Sequence, residues 1–513
     1  ALDPERSFIV QAPAGSGNTE LLTQRYLRLL ATVDSPEQIL AITFTRKAAA
    51  EMRSRVLRSL EDAAGAHPES AHKRSTWELA RAVRDADARH GWQLLDHPAR
   101  LRIQTIDALN SSLARRLPLL ARTGAALEPT DDPWPLYERA GRKLIERLGD
   151  DARITPQLET LIVHMGNRVD RLLVLLGGLL AKRDQWLHPV MAAHIRDDLR
   201  ATLEQTLRHV VERHLAHLCE TLGEDRRREL FDLLQYSSGQ LLQNASLAAA
   251  RRALLEACAH QTSAPAADAE SLSAWRAIAA MLFKADGELY EKVDARHGFP
   301  TSNRDIKARM IELLRWLATH RAAADALRDL LTLPDAGYSD DQWRTLEALL
   351  TLLPQAVGEL QLVFQSEGKA DYVEVAMRAL QALGTPEEPT DLALAFDYRL
   401  QHILVDEFQD TSYAQLDLLK QLTAGWSRGD GRTLFCVGDP MQSIYRFRQA
   451  EVGLFLDMQE RGLGGIELEP LRLEANFRST PSIVRWINEV FPAVLAPAND
   501  AEQGAVRYSP STA

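Results

Sequence analysis

A glycine-rich segment near the start of the chain, "APAGSGNTELL" at positions 12–22, has residue types suited to holding a phosphate group. Gly15 and Gly17 allow backbone N–H groups to turn toward an anion, and a helix that begins directly after them would present its positive end to that anion. Thr19 could offer a hydroxyl group to a magnesium ion, but Asn18 stands where loops of the pattern G-x-x-x-x-G-K-S/T have lysine. The segment is therefore either a nucleotide site that lacks its cation or a glycine-rich turn that binds no phosphate.

Two adjacent acids end an apolar run in "ILVDEFQDT" at 403–411. Asp406, at the carboxyl end of a strand, could hold magnesium directly or through water. Glu407 could orient or deprotonate an attacking water molecule. The structural alternative is a pair of surface carboxylates, which is common at strand ends, although the string "DEFQDT" as a whole is specific.

Polar, aromatic and basic residues follow another apolar run in "VGDPMQSIYRFRQA" at 437–450. Gln442 could sense a terminal phosphate by hydrogen bonding. Tyr445, Phe447 and Arg448 could stack on unpaired bases and hold the phosphates between them. The structural alternative is an aromatic pair packed in the core, and the scarcity of apolar neighbours in this string counts against it.

Two further strings place similar residue types where strands end. In "LRLEANFRST" at 471–480, Phe477 could stack on a base such as adenine and Arg478 could reach a γ-phosphate. In "AITFTRKAAAEM" at 41–52, Phe44, Thr45 and Arg46 offer an aromatic ring, a hydroxyl group and a cation to the backbone of a single strand. The structural alternatives are an ordinary strand-end turn and a helix that Thr45 caps.

Short apolar runs precede these strings and must position them. Such runs are typical of buried parallel strands, and they occupy 7–12, 39–44, 101–106, 402–407, 433–438 and 468–473. Helical patterns lie between them, and the alternation predicts an α/β domain with a parallel sheet. The middle of the chain is rich in Ala, Leu, Arg and Glu at helical spacing, which predicts an all-helical insertion. The predicted organisation is a first α/β segment at 1–112, the insertion at 113–385, a second α/β segment at 386–490, and a tail or the start of a further domain at 491–513.

Composition bounds the class of protein. The 513 residues are 45% hydrophobic and 26% charged, as in ordinary globular proteins of several domains. The net charge of −11 argues against a nucleic-acid coat of the histone kind but allows local basic grooves. Three widely separated cysteines exclude a sequence-readable zinc or iron–sulfur site and fit a reducing compartment. We find no apolar run of transmembrane length and no secretory signal, so we expect a cytoplasmic protein with no membrane partner.

The order of the strings resembles the ATP-binding region of UvrD/Rep-type superfamily 1 DNA helicases, in particular the RecB-like or AddA-like helicase subunits of recombination nucleases (exonuclease V beta type). That order is the phosphate loop, "TFTRKAAAEM", "QTID", "VDEFQDT", "GDPMQSIYRFRQA" and "NFRST", within about 1–112 and 390–490. The resemblance implies an α/β fold, a RecA-like P-loop NTPase domain with a parallel sheet and a large all-helical insertion. It also implies ATP-driven 3′→5′ movement along single-stranded DNA in repair and recombination. Its further implications are ATP and Mg²⁺ as cofactors, single-stranded or duplex DNA ends as substrate, and a partner that is a nuclease or a second helicase subunit.

The resemblance also implies roles for the residues of each string. The phosphates would be cradled by the loop residues Ala14, Gly15, Ser16, Gly17, Asn18 and Thr19. Thr19 and Asp406 would hold magnesium, Glu407 would activate water, and Gln442 and Arg478 would contact the γ-phosphate. Glu20 and Phe477 would lie near the adenine. The DNA path would be lined by Phe44, Thr45, Arg46, Thr105, Tyr445, Phe447 and Arg448.

This sequence departs from the family pattern at Asn18, which replaces lysine, and at Glu20, where many relatives have arginine. The family's second RecA-like domain and a nuclease domain are not evident in these 513 residues. Losing one preorganised electrostatic donor costs ~3–4 kcal/mol of transition-state stabilisation, or roughly 100- to 1,000-fold in rate. We therefore expect a helicase with impaired hydrolysis. One alternative is a helicase-like subunit that binds DNA but is catalytically inactive. Another is a different P-loop enzyme such as a nucleotide kinase, although a kinase needs no edge that binds a DNA strand.

Overall fold

The computed structural model describes residues 1–116, 127–193, 199–243, 249–259, 263–284, 286–445, 450–501 and 503–513. Its strands are β1 (Phe8–Gln11), β2 (Ile39–Thr43), β3 (Arg102–Thr105), β4 (Glu128–Pro129), β5 (Lys369–Ala370), β6 (His402–Val405), β7 (Thr433–Gly438) and β8 (Glu469–Arg472). Six of them form one parallel sheet in the order β3-β2-β6-β7-β1-β8, and β4 pairs with β5 in a separate parallel pair. The six predicted strands and the α/β fold class are confirmed.

The inner strands of the sheet are buried on both faces, which explains why they are nearly continuous apolar runs, whereas the edge strands β3 and β8 alternate between more and less buried residues. Every residue of β2, β6 and β7 is buried. The first strand lies between two strands from the far end of the chain, because Phe8 is in register with Phe435 on one side and with Glu469 on the other. Since all six strands are parallel, their carboxyl ends meet at one edge of the sheet.

Helices connect the strands and account for most of the described residues. Their bounds are α1 (Asn18–Leu30), α2 (Arg46–Asp62), α3 (Ala71–His90), α4 (Ile106–Arg116), α5 (Trp134–Glu146), α6 (Thr155–His164), α7 (Val169–Leu180), α8 (Arg183–Ala193), α9 (Leu199–Leu222), α10 (Glu224–Leu242), α11 (Ala249–Ala259), α12 (Leu272–Leu282), α13 (Arg304–Thr319), α14 (Arg321–Asp329), α15 (Asp340–Glu367), α16 (Tyr372–Leu383), α17 (Asp391–Arg399), α18 (Tyr413–Leu422), α19 (Val452–Arg461) and α20 (Pro481–Val490).

The chain forms two compact units. The first contains Ala1–Leu158, Met165–Pro189 and Leu352–Ala513, and the second contains Glu159–His164 and Val190–Thr351. In the first unit, one hydrophobic cluster joins the sheet to α1, α2 and α3, and another joins it to α4, α16, α17, α18 and α19. The sheet is thus covered by helices on both faces, as the doubly wound arrangement requires.

The second unit is built from helices around its own core. Buried apolar residues of α9, α10, α12, α13 and α14 surround Trp275 and Phe299. The predicted insertion, 113–385, contains this unit, but helices near both ends of that segment belong to the first unit. Helix α16 does so because Ala379 and Ala382 pack in the same cluster as Leu109 of α4.

One helix qualifies the expectation that no segment has transmembrane length. By length and composition alone, α15 is long and apolar enough to cross a membrane. A core helix passes the same test, and α15 buries Leu352, Val363 and Phe364 within the protein. The helix also contains Pro354 in its interior. Helix α15 therefore has one face buried within the protein, and it is the one such candidate among the described residues.

Candidate functional site

The glycine-rich loop joins β1 to α1 at the carboxyl edge of the sheet, where ligands of open α/β sheets bind. Gly15 and Gly17 have φ values of 81° and 88°, in the left-handed region that glycine adopts without strain. The Ser16 hydroxyl is buried and has no hydrogen-bond partner in the described part of the chain. A buried hydroxyl without a partner, between two such glycines and before a helix N-terminus, fits an anion such as a phosphate group.

Residues 476–478, which follow β8, hold this loop in place. The backbone N–H of Phe477 donates to the Gly15 carbonyl at 2.8 Å, and the Asn476 side-chain N–H donates to the Ala14 carbonyl at 3.1 Å. The Asn476 side-chain oxygen accepts from the backbone N–H of Arg478 at 2.9 Å. A side chain at Gly15 would have its Cβ only 2.7 Å from the Arg478 Cβ, so the two segments are in close contact.

The structure places three more residues assigned to the nucleotide. Phe477 is exposed, with 81% of its surface accessible, and its ring lies 3.9 Å from the position that a Cβ of Gly17 would take. Asn18 begins α1, and its side-chain oxygen accepts a hydrogen bond from the backbone N–H of Thr19 at 2.8 Å. Glu20 accepts hydrogen bonds from Thr76 and Gln24, whose side chains lie on α3 and α1.

Asp406 and Glu407 follow the carboxyl end of β6. Glu407 has a φ of 53°, a left-handed conformation that is uncommon for a residue with a side chain and that marks a locally strained position. Its backbone N–H donates to the Asp406 carboxylate at 3.1 Å. Burial, and to a smaller extent the neighbouring Glu407 carboxylate, raise the pKa of Asp406 to about 7. A nearby cation would stabilise the charged form of such a carboxylate.

A chain of hydrogen bonds joins Glu407 to Gln442. The Gln409 side-chain N–H donates to Glu407 Oε2 at 2.8 Å, and the backbone N–H of Asp439 donates to Gln409 Oε1 at 2.9 Å. The Gln442 side-chain N–H then donates to Asp439 Oδ2 at 2.6 Å. Gln409 and Asp439 were missed as site residues, although both lie in strings already singled out.

A metal ion at this edge would need oxygen ligands from several sources. Among the described residues, no group of three or more His, Cys, Asp or Glu side chains is arranged to hold a metal. Asp406 is one hard oxygen donor, and the Thr19 hydroxyl is another. A divalent metal at such a sparse set would take its remaining ligands from water and from substrate phosphates.

The residues assigned to DNA lie at strand ends on the same sheet. The rings of Phe44 and Tyr445 are in contact, with centroids 4.4 Å apart and planes at 39°. Phe44 also lines a cavity of about 460 Å³. Thr45 caps α2 by accepting from the Ala48 N–H at 3.1 Å, and Arg46 is exposed.

Three further residues were assigned to DNA, and the structure describes only the first of them, Thr105. Thr105 is buried and accepts from the Ala108 N–H at 3.2 Å, so its hydroxyl is engaged at the start of α4. Phe447 and Arg448 lie outside the described residues.

Comparison with known proteins agrees with this geometry. Residues 1–462 match the UvrD/REP helicase N-terminal domain. Over 536 aligned residues, the chain is 26% identical to an ATP-dependent helicase/nuclease subunit of Bacillus cereus, and equally to those of Bacillus anthracis and Bacillus thuringiensis. Each alignment covers 98% of this chain and 39% of the relative, so the chain spans about two fifths of their length. This decides against a nucleotide kinase or another unrelated P-loop enzyme, and the chain belongs to the UvrD/REP family of ATP-dependent helicases.

Proposed function

We propose that this chain is the ATP-binding region of a DNA helicase that moves 3′→5′ along single-stranded DNA in repair and recombination. The observation that carries the proposal is the meeting of the phosphate loop with residues 476–478 at the sheet edge where Asp406 and Glu407 also end a strand. The family membership supports ATP and a divalent metal as cofactors, and we propose Mg²⁺ as that metal.

In this proposal the loop residues 14–19 and Phe477 bind ATP, and Thr19 with Asp406 holds the metal. Bound Mg²⁺ would offset the negative charge of the phosphate oxygens during transfer. Glu407 orients and deprotonates the attacking water, and Gln442 and Arg478 contact the terminal phosphate. Phe44 and Tyr445 bind the bases of single-stranded DNA, where each stacked base contributes ~1–3 kcal/mol.

Hydrolysis should be impaired in this chain because Asn18 carries no charge. The side-chain oxygen of Asn18 also occupies the Thr19 N–H and lies 3.3 Å from the Thr19 hydroxyl oxygen, two groups that the site would otherwise offer to the nucleotide and its metal. The same observation favours a second candidate function, a catalytically inactive helicase-like subunit that binds DNA.

The relatives are named as subunits of a helicase/nuclease, and this supports a partner that is a nuclease or a second helicase subunit. Single-stranded or duplex DNA ends are the substrate that we propose. We further propose a cytoplasmic location, which the free cysteines Cys219, Cys258 and Cys436 support.

The test compares ATP hydrolysis with and without single-stranded DNA for the chain as it is, for Asn18→Lys, and for the distant control Asn303→Lys. We expect Asn18→Lys to raise turnover roughly 100- to 1,000-fold, with further stimulation by DNA, and the control to have no effect. If the unchanged chain and Asn18→Lys both stay inactive while binding single-stranded DNA equally well, the inactive DNA-binding function is the correct one.

A further inference from the structure

Gln409 is an uncharged side chain buried between the carboxyl ends of β6 and β7. Only 1% of its surface is exposed. The space around it is tight, because a side chain at Gly438 would collide with Gln409 Oε1 and approach the Gln409 backbone N–H at 3.1 Å. Gln409 therefore has little freedom to change its rotamer without a shift of β7.

Both ends of the Gln409 amide are in use. Its N–H donates to Glu407 Oε2 at 2.8 Å, and its oxygen accepts from the Asp439 backbone N–H at 2.9 Å. The reverse orientation would place the amide oxygen against a carboxylate oxygen and the amide N–H against another N–H donor. Only one orientation satisfies both partners, so the amide N–H is directed at Glu407.

That N–H donates to Glu407, which is the general base in the proposed function and whose carboxylate must therefore be held in a fixed position. Glu407 leaves its strand in a left-handed conformation, with φ at 53°. A bond from a nearly immobile donor restricts its carboxylate to a small region. A general base displaced by about 1 Å can lose on the order of 100-fold in rate.

The other end of Gln409 leads to Gln442. Asp439 is buried, with 3% of its surface exposed, and its Oδ2 accepts from the Gln442 side chain at 2.6 Å. A movement of Gln442 would therefore reach Glu407 through two hydrogen-bonded residues, both of them buried.

We propose that Gln409 is a positioning residue that fixes the Glu407 carboxylate and links its position to Gln442 through Asp439. This inference rests on the proposed function, in which Glu407 activates water. A purely structural role for Gln409, satisfying buried polar groups, is the competing explanation. The two differ in whether turnover falls without a matching change in nucleotide affinity or stability.

Two substitutions separate the two ends of the amide. Gln409→Glu keeps an oxygen for the Asp439 N–H but replaces the N–H donor with a second carboxyl group beside Glu407. Gln409→Met keeps the length of the side chain and removes both hydrogen bonds. Gln365→Met, on the exposed face of α15, is the matched control.

The variants are made in the full chain carrying Asn18→Lys, and DNA-stimulated ATPase activity, the KM for ATP and thermal unfolding are measured. Amide hydrogen exchange of the peptide that contains Asp439 is measured without nucleotide. We expect both Gln409 variants to lower kcat by on the order of 10- to 100-fold with the KM for ATP changed less than about threefold. Exchange at Asp439 should rise in Gln409→Met and stay slow in Gln409→Glu.

Several results would overturn the proposal. Unchanged kcat in both variants, in an active Asn18→Lys parent, would leave Gln409 without a positioning role. A fall in kcat that follows a loss of thermal stability and a rise in KM would show a structural role. Fast exchange at Asp439 in the parent would show that the hydrogen bond does not persist. An inactive Asn18→Lys parent would contradict the proposed function itself, and the catalytic part of this inference would fail with it.

Discussion

The side-chain oxygen of Asn18 accepts one hydrogen bond from the backbone N–H of Thr19 at 2.8 Å and another from its hydroxyl group at 3.3 Å. The residue that stands where the loop pattern G-x-x-x-x-G-K-S/T has lysine thus does more than remove a charge. It also occupies two donors at the start of α1, which is the positive end of that helix.

Removing the Asn18 side chain should therefore strengthen nucleotide binding without restoring hydrolysis. We expect Asn18→Ala to bind a fluorescent ATP analogue about 2- to 10-fold more tightly, because a hydrogen bond of ~0.5–1.5 kcal/mol no longer competes. Asn303→Ala should bind as the unchanged chain does. Weaker binding by Asn18→Ala would mean that the asparagine amide itself contacts the nucleotide.

The contact between the phosphate loop and residues 476–478 should make Gly15 less tolerant of a side chain than other glycines with positive φ. Gly149 has a φ of 87° and no atom within 4 Å of a built Cβ, so Gly149→Ala measures backbone strain alone, ~1–2 kcal/mol. Gly15→Ala adds a collision with Arg478 and Asn476, and we expect a further ~1–3 kcal/mol of destabilisation. Urea unfolding of the two variants tests this. Equal losses would show that residues 476–478 move aside freely.

Two exposed or half-buried aromatic residues should affect different ligands. Phe44→Ala should weaken single-stranded DNA binding by ~1–3 kcal/mol and leave nucleotide binding unchanged, because its ring lies against Tyr445 at the proposed DNA edge. Phe477→Ala should do the reverse, since its ring lies beside the phosphate loop. Fluorescence anisotropy with labelled DNA and with a labelled nucleotide measures both. A loss of both affinities in each variant would argue against separate sites.

Stability should fall in mild acid because of His402 at the start of β6. Burial, together with the charge of Arg25, lowers the pKa of His402 to about 3 from its ordinary value near 6.5. The native state then binds fewer protons than the unfolded chain between pH 3 and 6.5, so the free energy of unfolding decreases as the pH falls through that range. His402→Gln should reduce this dependence, and His97→Gln, at an exposed position, should not. Chemical denaturation at several pH values measures the free energy of unfolding of the three proteins. The same pH dependence in all three would contradict the assignment to His402.

The inner strands could be predicted because a strand buried on both faces must be apolar throughout, and such runs stand out from a helical background. The edge strands β3 and β8 carry polar residues and alternate in burial, so their own signal is weaker. The packing of the helices could not be predicted. An amphipathic pattern shows that a helix has a buried face but not which core that face joins. The sequence therefore assigns α16 to the insertion, whereas Ala379 packs in the same hydrophobic cluster as Leu109.

The strings of the site were also recognisable, because glycine, acid and aromatic residues followed apolar runs. Their roles in nucleotide and DNA binding remain predictions. The positions of Gln409 and Asn476 in the site could not be predicted, because the role of a glutamine or asparagine side chain depends on the groups to which it is hydrogen-bonded. Asn476 is hydrogen-bonded both to Ala14 and to Arg478, which are far apart in sequence. The spacing of neighbouring residues therefore could not predict that contact.

The place of β1 inside the sheet has a consequence for biosynthesis. Ser7, next to this strand, accepts a hydrogen bond from the backbone of Leu434, 427 positions later. At a synthesis rate of about 5–20 residues per second, roughly 20 to 90 s pass between the synthesis of β1 and that of β7, the first strand with which it can pair. The second unit, most of which is the continuous stretch 190–351, can fold during that delay. The phosphate loop therefore takes its final form among the last parts of the chain, and a nascent chain must keep the apolar segment 8–10 from aggregating until then.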